Sequence, residues 1–172
     1  MKNTRLVPSS DRLHFFELSP SDANRLYLLN SDQEVIRYTG DAPFRSIEDA
    51  RQFLIQYDEY ERSGFGRWGL ARKDNDAFIG WCGLKRHENG EVDVGFRLLQ
   101  SEWKQGFATE ASLACLQLAF ETLHLPYVIG RVMRENTASI QVLERIGMRF
   151  WKETEEDLHC ALCFKIDNPS LH

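Results

Sequence analysis

Residues 103–111, Trp-Lys-Gln-Gly-Phe-Ala-Thr-Glu-Ala, constrain the fold more than any other segment because they join two differently patterned runs. Residues 91–99 have the alternation and β-branched content of a strand, and residues 111–123 carry apolar side chains at helical spacing. The first N–H groups of a helix have no intrahelical partner, and Gly106 lets the backbone approach an anion closely. The junction therefore predicts a phosphate-binding turn, with plain turn formation by Gly106 as the alternative.

A second glycine-rich stretch, residues 64–69, matches the dinucleotide-binding pattern G-x-G-x-x-G in the wrong context. That pattern binds a dinucleotide when it follows a strand and opens a helix. Here residues 48–62 are predicted to form a helix and residues 68–72 to begin a strand. We therefore expect these glycines to end a helix and turn the chain.

Length and composition predict one globular domain over residues 1–172. Hydrophobic residues make up 42% and charged residues 27% of the chain, and the net charge of −5 disfavours general nucleic-acid binding. No apolar stretch reaches the roughly 20 residues of a membrane span, and no apolar signal core follows the N-terminal residues. We expect a cytosolic protein without a membrane partner.

The cysteines are dispersed in apolar surroundings and are predicted to be reduced core residues. Cys160 and Cys163 have the spacing of a metal motif, but they fall in a predicted strand, where odd separation directs them to opposite faces. No second Cys or His pair completes a tetrahedral site, so no metal is predicted.

The predicted elements follow the order β-αα-βββ-α-β-α-ββ, a mixed α/β sheet with helices on both faces. An Asn-Gly turn at residues 89–90 supports a hairpin within the three-strand run. The predicted strands are 13–18, 67–73, 77–86, 91–99, 127–133, 149–153 and 158–166, and the helices are 19–30, 48–62, 111–123 and 137–146.

Residues 136–148, Asn-Thr-Ala-Ser-Ile-Gln-Val-Leu-Glu-Arg-Ile-Gly-Met, form a second motif on the next helix. With 102–111 before it, the chain resembles the GNAT superfamily of acetyl-CoA-dependent N-acetyltransferases. More narrowly, it is similar to the ribosomal-protein N-terminal acetyltransferases, whose opening and central strand motifs have counterparts at 10–16 and 95–98. The resemblance implies the GNAT-like acyl-CoA N-acyltransferase fold over nearly the whole chain.

The chain departs from the family pattern at four positions. Trp103 stands where Gln or Arg is usual, as is common in this branch, and Ala108 where a second Gly is frequent. Arg97 replaces an aromatic residue and Cys160 a frequent Tyr. The last two departures bear on the identity of the substrate more than on the chemistry.

The resemblance implies acetyl-CoA as cosubstrate and assigns cofactor contacts to two backbone segments. Near Leu98 and Leu99 the strand is expected to splay from its neighbour, so that a backbone N–H polarises the acetyl carbonyl. The Thr109 hydroxyl is a further donor or, alternatively, satisfies its own helix. The amides expected to hold the pyrophosphate are those of Gln105, Gly106, Phe107, Ala108 and Thr109.

Four polar side chains complete the implied site. Asn136 is expected to bond the pantetheine arm, to cap the following helix, or both. Ser139 is the candidate that protonates the departing thiolate, with a first-turn Ser of no chemical role as the alternative. Asp93 is a candidate base, and Glu91 shares its strand face but is equally an ordinary surface carboxylate.

These features predict an N-acetyltransferase in which a primary amine attacks directly within a ternary complex. The acceptor is either a protein N-terminus or a small amine, and the protein is either a monomer or a homodimer. A catalytically silent acyl-CoA-binding sensor is the alternative. A nucleotide-phosphate binding module is a third reading, distinguished by competition of ATP or NAD with acetyl-CoA.

Overall fold

The computed structural model describes residues 5–156 and 159–171, with side chains at 5–154 and 161–171. Seven strands form one sheet in the order β1-β2-β3-β4-β5-β7-β6, in which β4 and β5 are parallel and all other neighbours antiparallel. The strands are β1 Leu13–Glu17, β2 Arg67–Arg72, β3 Phe78–Arg86, β4 Val92–Leu98, β5 Tyr127–Met133, β6 Arg149–Glu156 and β7 His159–Asp167. The predicted mixed sheet and the order of its strands are confirmed, but four α-helices rather than two lie between β1 and β2.

Six α-helices lie over this sheet in the described residues: α1 Ala23–Ser31, α2 Gln33–Ile36, α3 Ile47–Gln56, α4 Glu59–Ser63, α5 Phe107–Gln117 and α6 Thr137–Arg145. Helix α5 begins at Phe107, four residues before the start of the predicted helix 111–123. A π-helical turn at Leu118–Thr122 extends its C-terminal end. The predicted single helix at 48–62 is wrong, because Tyr57 adopts an extended conformation that separates α3 from α4. The break places two tyrosine hydroxyls against the start of β2.

The two faces of the sheet bury different cores. Val94 on β4 and Cys82 on β3 belong to the core that includes Cys115 of α5, while Trp81 belongs to a second core with Leu26 of α1 and Leu54 of α3. Neighbouring strand residues point to opposite faces, which explains how Trp81 and Cys82 enter different cores. Helices therefore cover both faces, as predicted.

The glycine and cysteine predictions also have outcomes in the structure. Gly64 ends α4 with a φ of 77°, as predicted, whereas Gly69 lies within β2. Cys82, Cys115 and Cys163 are buried free thiols, whereas the side chain of Cys160 lies outside the described residues. Within 5–156 and 159–171, no helix is long and apolar enough to cross a bilayer.

The sheet opens between its two parallel strands. Asp93 and Ile129 form the one registered pair between the described residues of β4 and β5. Beyond it, the C-terminal end of β4 separates from β5. This gap lies beside the N-termini of α5 and α6, where the sequence motifs converge.

Candidate active site

The N-terminus of α5 presents backbone donors without competing side chains. Gly106 precedes the helix with a φ of 81°, and Lys104 also has a positive φ of 61°. The first backbone bond of the helix runs from Glu110 N–H to Gly106 O at 3.0 Å. The N–H groups of Phe107, Ala108 and Thr109 therefore have no intrahelical acceptor and carry the positive end of the helix dipole. This geometry suits an anion.

Arg12, just before β1, clamps this turn from outside. Its backbone N–H and Nε donate to the Glu110 carboxylate at 2.8 and 2.6 Å, and one Nη donates to Gln105 O at 3.1 Å. Its guanidinium also lies 4.4 Å from the ring centroid of Phe107. Burial would raise the pKa of the Glu110 carboxyl, but the bonds to Arg12 outweigh it and lower the pKa. The sequence motif at 10–16 contained Arg12, but only the structure shows its contacts.

The end of β4 directs one backbone amide into the gap. Leu99 N–H donates to Ile79 O on β3 at 2.8 Å, so the Leu99 amide is already committed. Successive residues point their backbone groups to opposite edges of a strand, and Leu98 N–H therefore faces the side from which β5 has separated. Trp103 Nε1 donates to Leu98 O at 3.0 Å and ties the 103–111 segment to this strand end. A contact between Leu99 and the cofactor remains a prediction, but the Leu99 N–H is not available for it because it already donates to Ile79 O.

A cavity of about 350 Å³, here called the α5–α6 cavity, joins these features. Asn136 caps α6 by accepting from Ser139 N–H at 3.2 Å, and the half-buried Ser139 side chain lines the cavity. Gln105 does not line the cavity, and its side chain donates to Ser101 O at 3.2 Å, so the pyrophosphate contact of its backbone amide remains a prediction. The predicted site residues that line the cavity are Leu98, Gly106, Phe107, Ala108, Thr109, Asn136 and Ser139.

Asp93 lies outside that cavity in a charged cluster near the start of β4. Its Oδ2 lies 2.7 Å from His87 Nε2, and its Oδ1 lies 3.9 Å from an Arg67 Nη. Burial would raise the pKa of Asp93, but His87 and the charges of Arg67 and Arg131 lower it. At a rise of about 3.3 Å per residue, Asp93 is roughly 16 Å along the strand from Leu98. The sequence analysis expected Asp93 near the acetyl position at the end of β4. The structure instead places it far from that end, near the start of the strand.

Glu91 is not the surface carboxylate of the alternative interpretation. Its side chain is 11% exposed and its Oε2 lies 3.7 Å from an Arg131 Nη. Sequence reasoning did not select His87 or Arg131, because the hairpin and the neighbouring strand bring them to this cluster.

A second cavity of about 280 Å³, here called the arginine cavity, lies beneath α1 and α3, next to the core that contains Trp81. Arg67, Trp81 and Arg97 contribute to its wall, and Arg97 also lines the α5–α6 cavity. Arg67 lies within the glycine-rich stretch 64–69 and Trp81 in no motif, and no sequence signal predicted their proximity.

Together, the separated strands, the uncapped N-terminus of α5 and the α6 motif define an acyl-CoA-binding fold of the acetyltransferase type. Residues 12–149 match the family described as "Acetyltransferase (GNAT) domain", and the chain belongs to this family. It is an N-acetyltransferase.

The relatives agree with this assignment. The uncharacterized N-acetyltransferase p20 of Bacillus licheniformis is 30% identical over 143 residues, covering 81% of this chain and 80% of p20. A ribosomal-protein-S5-alanine acetyltransferase from Vibrio fischeri shares the fold with a TM-score of 0.79 at 16% identity, covering 97% of this chain and 100% of that one.

A spermidine N-acetyltransferase from Vibrio cholerae, solved with CoA and spermine, has a TM-score of 0.77 at 16% identity. The alignment covers 91% of this chain and 95% of that chain. At these identities the likeness to both Vibrio enzymes concerns the fold.

Among the residues the structure describes, no group of three or more His, Cys, Asp or Glu is placed to hold a metal ion.

Proposed function

We propose that this protein transfers the acetyl group of acetyl-CoA to a primary amine by direct attack within a ternary complex. The observation that carries the proposal is the convergence, in one cavity, of the α5 N-terminus, the end of β4 and the α6 motif. The arginine cavity shares Arg97 with it and offers a separate place for an acceptor. Two adjoining cavities suit a reaction in which both substrates are bound together.

Backbone groups would hold the cosubstrate. The N–H groups of Phe107, Ala108 and Thr109 suit the pyrophosphate, and the Asn136 amide nitrogen can still donate to the pantetheine arm because only its oxygen caps α6. Acetyl-CoA supplies the activated acetyl thioester. Leu98 N–H would donate to the acetyl oxygen as negative charge develops there, an effect worth on the order of 100- to 1,000-fold in rate.

Two groups would handle protons. The Ser139 hydroxyl would protonate the departing thiolate, since the capping role in α6 already belongs to Asn136. Asp93, roughly 16 Å along β4 from Leu98, would accept the amine proton through a chain of water molecules, with His87 hydrogen-bonded to its carboxylate. Its pKa is lowered, so this carboxylate is ionised at neutral pH but is a weak base.

A thiol-release assay tests this function against a panel of N-terminal peptides and small amines. We expect CoA release from acetyl-CoA that depends on at least one amine. A sensor that binds acetyl-CoA would show binding but no amine-dependent release. That result would refute catalysis while leaving the cavity assignment in place.

A thermal-shift titration tests the cosubstrate separately. Acetyl-CoA should raise the melting temperature more than ATP or NAD, because they share the pyrophosphate but lack the pantetheine arm. Equal stabilisation by ATP would favour a nucleotide-phosphate binding module.

We also infer that residues 1–172 act as one catalytic domain in the cytosol. The family match over 12–149 and the single seven-stranded sheet support one domain. The dispersed cysteines, which the sequence predicts to be reduced core residues, support the proposed location.

A further inference from the structure

The arginine cavity places two guanidinium groups beside one indole ring. The Cζ atoms of Arg67 and Arg97 lie 4.4 and 5.3 Å from the ring centroid of Trp81. Burial lowers the pKa of Arg97, with a further contribution from the charge of Arg67, and together these outweigh the opposing effect of Asp41.

The two arginines differ in how they are satisfied. Arg97 donates to Asn30 Oδ1 at 2.9 Å and to Asp41 Oδ2 at 2.7 Å. Arg67 Nε is buried without a hydrogen-bond partner among the described residues, and the Asp93 oxygen 3.9 Å from its Nη lies beyond hydrogen-bond distance. A buried donor on a cation is costly unless it is paired. Asp93 thus forms a long ion pair with Arg67 but no hydrogen bond, so Arg67 is the arginine of this cavity with an unsatisfied donor.

The position of the cavity connects this charge to the reaction. Arg97 precedes Leu98 and lines both cavities, so a ligand on the arginine side lies next to the end of β4. Small-molecule pockets usually enclose roughly 300–1,000 Å³, and 280 Å³ falls at the lower limit. The cavity suits a small acceptor.

On the basis of the proposed transferase function, we propose that the acceptor is a small amine carrying an anionic group, a carboxylate or a phosphonate, that binds Arg67. Guanidinium recognises such groups through paired hydrogen bonds. The two cations would also disfavour the protonated, unreactive form of the bound amine. A polyamine fits poorly because Asp41, the one carboxylate among the described lining residues, already pairs with Arg97.

The competing explanation is that Arg67 only balances the buried charge of Asp93. That explanation predicts that loss of Arg67 lowers stability and affects all acceptors equally. An anion site predicts that the preference for anionic acceptors is lost. The ratio of kcat/KM for two acceptors on one preparation separates these cases because it does not depend on the folded fraction.

The experiment measures kcat/KM for amino acids against their carboxamides, with aminoalkylphosphonates and spermidine as further arms. The carboxylate and phosphonate arms distinguish the two anions. We expect anionic acceptors to be favoured by about 10- to 100-fold, the range for hydrogen bonds to charged groups. Arg67→Gln should bring the ratio close to one. Arg62→Gln, which changes an exposed arginine on α4, is the matched control and should retain it.

Calorimetry on the CoA-bound protein tests the anion site without turnover, by comparing N-acetyl amino acids with their carboxamides. Tighter binding of the anionic product supports the site, and equal binding or no binding overturns it. Turnover of carboxamides or spermidine at least as fast as anionic amines overturns the proposal but leaves the transferase intact. Absence of CoA release with every amine would contradict the proposed acetyl transfer. The calorimetric comparison would then be the only test of whether Arg67 binds an anion. The wild-type comparisons decide the proposal even if Arg67→Gln fails to fold.

Discussion

The two cavities are built in different ways. The α5–α6 cavity draws its proposed cofactor contacts from backbone groups and short side chains in two continuous segments, 98–109 and 136–145. The arginine cavity depends on long side chains from β2, β3 and β4, closed over by α1 and α3. Backbone recognition tolerates changes in most side chains, whereas side-chain recognition changes with single substitutions. We therefore expect the first cavity to determine the cosubstrate and the second to determine the acceptor.

Two tyrosines hold the arginine side in place. Tyr57 Oη accepts from Arg67 N–H at 2.9 Å, while Tyr60 Oη donates to Arg67 O at 2.6 Å and accepts from Leu18 N–H at 2.9 Å. Burial raises the pKa of both phenols. The start of β2 is thus fixed by side chains, whereas the α5 turn is fixed mainly by glycine geometry and Arg12.

The largest effect is expected from Ser139→Ala. Loss of the proton donor should reduce kcat by roughly 100-fold, within the range for general acid catalysis, while acetyl-CoA affinity stays constant. Thr137→Ala, which changes an exposed residue in the same helix, is the control. Measuring kcat, acetyl-CoA affinity and melting temperature on one preparation checks this. Normal kcat would remove Ser139 from the mechanism.

Gly106→Val should weaken binding of the cosubstrate without affecting the acceptor. A branched side chain at a φ of 81° is strained and obstructs the anion, so CoA affinity should fall by about 10-fold or more, a loss of roughly 1.4 kcal/mol. Gly90→Val is the matched control, because Gly90 has a φ of 87°, open surroundings and a place in the β3–β4 turn. Calorimetry with CoA compares the two folded variants. Equal CoA affinities would contradict the backbone-recognition assignment.

Tyr60→Phe should act on the acceptor side. Removing a hydroxyl that serves Leu18 N–H and Arg67 O leaves buried groups unpaired and should cost about 1–3 kcal/mol of stability. The acceptor KM should rise while CoA affinity is unchanged. Denaturant unfolding and steady-state kinetics check both, with Tyr127→Phe as the control for loss of a phenol. A shift in CoA affinity instead would show that the two cavities are coupled.

The smallest effect separates the two roles of Asn136. Asn136→Ala should cost about 1 kcal/mol through loss of the α6 cap, lowering the melting temperature by about 2–4 °C. Asn136→Asp retains a capping oxygen but loses the donor proposed for the pantetheine arm. Its melting temperature should therefore stay near wild type while acetyl-CoA affinity falls. Unchanged affinity in both variants would leave Asn136 with the cap alone.

Local patterns predicted the α5 turn well because its geometry is specified by neighbours in sequence. Gly106 before a helical run is sufficient to leave free N–H groups, and Asn136 at the start of α6 is a capping signal. The helix break at Tyr57 was not predictable in this way. The hydroxyls of Tyr57 and Tyr60 gain their partners only when Arg67 of β2 and Leu18 lie beside them, and these contacts outweigh helical continuity.

Sequence patterns predicted the mixed sheet, the order of its strands, the family motifs and seven of the residues that line the α5–α6 cavity. The strands and helices follow from periodicity and capping, which act over a few residues, whereas the roles of the cavity residues follow from the family resemblance. Tertiary structure alone decided that the Leu99 amide is occupied, that Arg12 clamps the α5 turn and that Asp93 pairs with His87. It also placed Arg67, Trp81 and Arg97 in one cavity. Strand register and helix docking bring such residues together across long separations in sequence, and a local pattern carries no information about those contacts.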